Sequence, residues 1–282
     1  MGVKVLFAFV ALSFGILVGC GKKEPEREAN VPDVNPPAQP PVKETKQSPA
    51  KPKVEPTKVT LTPGIEVAKK AHEAGNYREA VRLYTVELAA EEAKPAPSWL
   101  QLSHLQNELA KALYYAGLFD KALEHYQKAL AIKLKQMGSE DPDVAQSYNN
   151  IGRVHLKKGD NDKALEDYQK ALTIYLKQLE PEHPLVAGSY NNIGLVYNNK
   201  GEYDKALENY QKALAIDLKQ LGPEDTLVAT SYNNMAYIYK AKKDLAKAKE
   251  YWEKAYAIFS EKLGPNNPNT KSVKGQLDAL KE

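Results

Sequence analysis

Ser189-Tyr190-Asn191-Asn192-Ile193-Gly194-Leu195-Val196-Tyr197 decides the fold, because the chain repeats it. Its first four residues return as Ser147-Tyr148-Asn149-Asn150 and Ser231-Tyr232-Asn233-Asn234, 42 residues before and 42 after. Between them Lys-Ala-Leu-Glu-x-Tyr-Gln-Lys-Ala-Leu runs from Lys121 to Leu130, Lys163 to Leu172 and Lys205 to Leu214, with a degenerate copy from Lys247 to Tyr256. Self-similarity at this period means one supersecondary unit stacked on copies of itself. Such arrays build extended binding surfaces far more often than catalytic pockets.

One period, Asp141 to Pro181, shows how a unit folds. Asp141 suits a helix N-cap and Pro142 the first helical position, where a missing N–H costs nothing. Val144, Tyr148, Ile151, Val154 and His155 then fall on one helical face. Gly159 ends that helix and Asp160 is placed to cap the next. Ala164, Leu165, Tyr168, Ala171, Leu172 and Tyr175 form the stripe of a second helix, which must stop before Pro181. The result is an αα-hairpin. Gly152, Ala164 and Ala171 mark where the two backbones approach closely, with Tyr148 and Tyr168 filling the space beside them. The next units hold Gly194, Ala206 and Ala213, then Ala236, Ala248 and Ala255, in these places.

This pattern resembles the tetratricopeptide repeat, in its kinesin-light-chain-type variant with a 42-residue period. The resemblance rests on His183-Pro184-Leu185-Val186-Ala187-Gly188 followed by the opening stretch, then on Gly201-Glu202-Tyr203, Ala206, Tyr210 and Ala213-Leu214. It implies an all-α, right-handed α-solenoid. Subtracting 42 from Gly159, Ala164 and Tyr168 finds Gly117, Ala122 and Tyr126, then Gly75, Ala80 and Tyr84. Five units are therefore expected, at about 64–105, 106–147, 148–189, 190–231 and 232–264. The first departs most, with Gly64 in the tyrosine slot, Glu87 in an alanine slot and Pro95 and Pro97 interrupting its second helix. Asn267-Pro268 opens a polar capping helix within 265–282.

The N-terminal region reads differently. Lys4, the apolar run Val5 to Val18 and then Gly19-Cys20 have the form of a signal peptide, 1–19. Leu17-Val18-Gly19-Cys20 resembles the bacterial lipobox, which implies diacylglyceryl modification of Cys20 and cleavage before it. A simple cleaved signal or an uncleaved anchor is the plainer alternative. From Gly21 to Pro63 the chain has ten of its 18 prolines and no Phe, Tyr, Trp or Met. Such a composition cannot build a core, so 20–63 reads as the lipidated cysteine and a semi-rigid tether, with a reach on the order of 100 Å. The expected location is the bacterial cell envelope, on the outer membrane facing the periplasm.

Charge and chemistry exclude several classes. A net charge of +3 over 282 residues implies no field for nucleic acid. The sole cysteine, Cys20, leaves no internal disulfide and no cysteine metal site. His72, His104, His125, His155 and His183 fall at differing repeat positions without metal-ligand spacing. His155 takes a slot held elsewhere by Tyr197 and Tyr239, a packing place, and His183 takes the capping slot of Asp141 and Asp225. The glycines mark helix ends and contacts, so no phosphate loop is present. No catalytic residue, metal, cofactor or small-molecule substrate is expected, and the chain reads as a non-enzyme.

In tetratricopeptide arrays the first helices line the concave face. The resemblance therefore places Asn150, Asn192 and Asn234 there, with Lys111, Arg153, Lys157, Leu195, Asn199 and Tyr237 beside them. A carboxamide both donates and accepts, so a ladder of the second asparagines can hold the backbone of an extended chain, as kinesin-light-chain-type grooves do. Equally, such asparagines can cap helices or fix unit-to-unit packing. Lys111, Arg153, Lys157 and Lys240 tilt the face basic, suited to an acidic segment or simply solvated. The expected function is a membrane-anchored interaction scaffold for a protein or peptide partner. The alternative is an assembly factor or pilotin for an outer-membrane pilus or secretion complex.

Overall fold

The computed structural model describes residues 58–280, so the leader, Cys20 and most of the tether lie outside the described residues. The described chain is helical throughout, without strands, and the helices pair in sequence. Unit 1 is α1 (Pro63–Glu73) with α2 (Tyr77–Glu92), and unit 2 is α3 (Trp99–Tyr115) with α4 (Phe119–Met137). Unit 3 is α5 (Pro142–Lys158) with α6 (Asn161–Gln178), and unit 4 is α7 (Pro184–Asn199) with α8 (Tyr203–Leu221). Unit 5 is α9 (Thr226–Ala241) with α10 (Leu245–Lys262), and α11 (Pro268–Asp278) follows. Each helix packs on its neighbours in the chain, and α7 also touches α9. The hairpins begin at Pro63, Trp99, Pro142, Pro184 and Thr226, so edges drawn at 106, 148, 190 and 232 cut through the first helices.

Local chemistry sets the ends. The side chains of Asp141, His183, Asp225 and Asn267 each accept from the backbone N–H two residues on, at 2.8–3.1 Å. His183 does this through Nδ1, which must stay unprotonated, and burial keeps its pKa below the ordinary histidine value. Asp160 departs from expectation. It occupies the N-cap of α6 but makes no side-chain cap bond, and its carboxylate lies 3.5 Å from His155 Nδ1. Between the helices of a hairpin the chain turns through a left-handed residue: Gly75, Gly117, Gly159, Gly201 and, in unit 5, Lys243 at φ 63°. In unit 1, Pro95 and Pro97 leave α2 ending at Glu92, about one turn short of its equivalents.

The core is one motif used five times. Tyr84, Tyr126, Tyr168, Tyr210 and Trp252, one from each second helix, are all at most 1% exposed. Opposite them on the first helices stand Ala68, Ala110, Gly152, Gly194 and Ala236. A Cβ built on Gly152 comes within 2.9 Å of the Tyr168 ring, and one on Gly194 within 2.8 Å of Tyr210. Tyr148, expected to share this role, is only partly buried. Leu109, Ile151, Ile193 and Met235 bury themselves against the second helix of the preceding unit, which makes the core continuous.

Two sets of surface ion pairs keep the same period. Lys158, Lys200 and Lys242 at the ends of the first helices reach back to Asp120, Asp162 and Asp204 of the unit before. Lys177, Lys219 and Lys262 reach Glu140, Glu182 and Glu224 in the loops that lead into their own units, at 2.9, 2.5 and 2.8 Å. Exposed pairs of this kind contribute roughly 0–1 kcal/mol each, so they fix register more than they supply stability. The ring contact matters more. Gly194→Leu should destabilise the array by roughly 1–3 kcal/mol or more through overpacking against Tyr210, read as a lower denaturant midpoint, whereas Gly188→Leu, on open surface, should not.

Candidate functional site

The first helices bring one side chain per unit to a common slot: Lys111, Arg153, Leu195 and Tyr237, all partly exposed. Basic groups hold one end of this row and apolar ones the other. Arg153 stacks its guanidinium over the Tyr114 ring at 4.8 Å, its Nη2 lies 3.5 Å from the Tyr126 hydroxyl, and its Nε is buried without a partner. Tyr237 stands edge-on to the buried Trp252, with centroids 5.3 Å apart. Lys157 and Asn199, one turn further along α5 and α7, are exposed. Lys240 leaves the row: it bonds Gln276 of α11 at 3.0 Å and so ties the cap to unit 5.

The asparagines are engaged with one another. Asn150 Nδ2 donates to Asn107 Oδ1, and Asn234 Nδ2 to Asn191 Oδ1, both at 3.1 Å. Each bond joins the second asparagine of one unit to the first of the unit before. Asn233 Oδ1 accepts from Trp252 Nε1 at 3.1 Å. Asn234 is 4% exposed, which removes it from direct contact with a bound chain in this conformation. The corresponding link from Asn192 to Asn149 is open, since Asn149 Oδ1 is buried without a partner. Asn150 and Asn192 remain partly exposed. The asparagine pairs thus stitch first helices together, a role visible in sequence only as a 43-residue interval between unlike members of successive pairs.

Sequence reasoning missed two acids, Asp217 and Asp167, whose surroundings oppose ionisation. Asp217, at the slot held by Tyr175 in unit 3 and Phe259 in unit 5, is 6% exposed, and burial together with Asp225 pushes its pKa up to about 7. Asp167 is pushed up to about 6, mainly by burial, and lies 3.8 Å from His155 Nε2. His155 is buried as its slot implies, with its own pKa lowered first by desolvation. An interruption of a repeated aromatic slot by Asp was the available signal. Among the described residues no three His, Cys, Asp or Glu side chains converge to hold a metal ion, and no helix is long and apolar enough to cross a membrane.

The tetratricopeptide repeat model matches residues 101–177, 143–219, 185–261 and 227–277. The chain belongs to the tetratricopeptide repeat family. Comparison with the curated proteins returned no match. Among solved structures this tetratricopeptide repeat protein is similar to BtubC (BKLC) from P. vanneervenii, with 26% identity over 72% of this chain and 81% of that one, TM-score 0.61. It is similar also to a Podosopora anserina protein described as a putative kinesin light chain with nearly identical TPR-like repeats. A single-substitution variant of that protein has 26% identity over 70% of this chain and 93% of that one, TM-score 0.61. A second structure of it has 28% identity over the same shares of both chains and TM-score 0.59. Tetratricopeptide repeats are protein-interaction scaffolds, and the face described above is where such an array offers its first helices.

Asp217 makes the stability of this repeat array pH-dependent. A free Asp carboxyl loses its proton near 3.8, whereas the folded one keeps it to about 7. The folded state therefore binds the extra proton in that window, and stability falls as pH rises from about 4 to about 7. Asp217→Asn should match wild type near pH 4 and exceed it above pH 7 by on the order of 2 kcal/mol, read from denaturant midpoints across pH.

Proposed function

We propose that the first-helix face holds an extended segment of a partner protein, acidic where it passes units 2 and 3 and apolar where it passes units 4 and 5. The row Lys111, Arg153, Leu195, Tyr237 carries this reading, because its chemistry changes once, from cationic to apolar, along consecutive units. Asn150 and Asn192 lie along the same helices, available for backbone contacts at their exposed edges. Lys157 adds an exposed cation at the basic end. Burying Leu195 and the free edge of Tyr237 supplies affinity, while the cations steer approach and set direction. A photo-crosslinking residue at Leu195 should trap a discrete partner in living cells that one at Glu208, on the outer surface of α8, does not. Lys111→Glu with Lys157→Glu should reduce that product tenfold or more. Equal products from both positions, or no effect of charge reversal, would reject the face.

The anchoring belongs to the same proposal. Leu17-Val18-Gly19-Cys20 and the proline-rich stretch after it support a scaffold lipidated at Cys20, held on the bacterial envelope and displayed on a tether. An outer-membrane, periplasm-facing position is the form we favour, with assembly of a pilus or secretion complex as the alternative duty. The far end of the tether meets the array: Gln101 Nε2 donates to the Thr60 carbonyl and Gln101 Oε1 accepts from the Thr60 N–H, both at 3.0 Å, fixing the entry to α1. Cys20→Ser should shift the protein from the membrane to the soluble fraction on cell fractionation. Retention of that variant in the membrane would remove the lipid from the account.

A further inference from the structure

One slot on the second helices faces the start of the next unit, and its occupants are Lys133, Tyr175, Asp217 and Phe259. In α4 the cation is built in. Lys133 Nζ lies 3.3 Å from the Asp143 carbonyl and feels the carboxylates of Asp143 and Asp141. In α6 the place is filled by two long side chains, the buried Tyr175 donating its hydroxyl to Gln146 Oε1 at 3.3 Å. Unit 4 shortens both partners at once, with Asp217 for the tyrosine and Gly188 for the glutamine. A Cβ added to Gly188 meets nothing within 4 Å, so the space that Gln146 fills in unit 3 is open here.

Asp217 is thus buried in the slot whose unit-3 occupant reaches the position of Gly188, and what acts on it is unfavourable to its charge. Burial and the Asp225 carboxylate both oppose ionisation, and no donor or cation among the described residues compensates. Asp225 stands two units beyond Asp141, at the same cap, where its Oδ1 accepts from the Leu227 N–H at 2.8 Å. The two sites therefore share a geometry and differ in charge: Lys133 answers Asp141, but Asp217 repeats the charge of Asp225. A buried carboxylate without a partner is among the costlier groups a fold can hold, and a cation with N–H donors is what relieves it.

We propose that Asp217 and Asp225, with the space over Gly188, receive one cationic side chain, a lysine ammonium or an arginine guanidinium, from a segment bound along the first helices. The inference rests on the groove reading above, and it adds a specificity point: a basic residue placed at the junction of units 4 and 5, far from the acidic stretch that units 2 and 3 select. Filling the site removes the penalty on Asp217 and holds its carboxylate ionised.

The test uses the full chain with 13C-labelled aspartate and two side-chain analogues as probes, n-butylammonium and ethylguanidinium, against sodium chloride at equal ionic strength. Either probe should lower the titration midpoint of Asp217 by at least one pH unit beyond the effect of salt. Binding should weaken at least tenfold in Asp217→Asn and in Gly188→Gln, which restores the side chain of unit 3. Both variants are expected to fold, the first losing a buried charge and the second entering open space. An Asp217 midpoint that moves no more with the probes than with salt would overturn the receptor, as would undiminished binding to Gly188→Gln. If the probes bind as expected but Leu195 captures no partner, the receptor stands and the groove reading fails. Capture at Leu195 without any probe effect rejects the receptor alone.

Discussion

Everything in this array depends on how closely two helix backbones can approach inside a hairpin. An aromatic ring from the second helix lies against a residue of the first that has little or no side chain, and the pair recurs at each 42-residue step. The ring is the largest side chain buried between the two helices of the central hairpins, and the small residue fixes the distance at which it packs. Once that distance is set, the outward faces of the two helices are set with it, so each unit presents the same ridge to its neighbour. Uniform stacking follows from a local contact, with no long-range instruction in the sequence.

Stacking then assigns the remaining positions. Residues on the first helices either meet the second helix of the preceding unit, as Ile151 and Ile193 do, or look away from both neighbours, as Lys111, Leu195 and Tyr237 do at their exposed edges. The asparagine pairs lie on the border between these classes. Asn150 and Asn234 each donate an amide N–H to the adjacent unit, and the row of Lys111, Arg153, Leu195 and Tyr237 lies beside them on the same helices. Identity of repeats is required where units touch and relaxed where they face outward, and the row of four unlike residues sits in the relaxed region.

The hairpins, their caps at Asp141 and His183, the close contacts at Gly152 and Gly194 and the capping helix after Asn267 were all legible, because each is governed by neighbours in the chain or by an exact repeat. The partners of side chains were less so. Asp160 has the residue type and place of an N-cap, yet its carboxylate turns toward His155, five residues earlier in the last turn of α5, and not toward the N–H groups of α6. Arg153 read as a groove cation and is partly exposed, but its packing on Tyr114 and Tyr126 of the unit before was not visible in the sequence. The 43-residue asparagine bonds cross unit boundaries in the same way. Burial of Asp217 follows from its slot, but the missing compensation follows from Gly188, and only the assembled unit puts those two observations together.

The two ends of the array differ from its interior in a way that bears on how such a protein changes length. At the position where Ala112, Val154, Val196 and Ile238 are wholly buried, α1 carries the exposed Lys70, whereas α11 meets unit 5 through the buried Val273 as well as a polar tie from Gln276 to Lys240. The outward face of α1 therefore lacks the apolar seat that the first helices of units 2 to 5 present to the unit before. The interior differs, because units 3 and 4 repeat the apolar residues of their junctions, Ile151 and Val154 as Ile193 and Val196. Growth by duplication within the middle of the chain would therefore give an inserted period the correct surface on both sides. Near-identity of the central units and divergence of the outer ones is the pattern that such growth leaves behind.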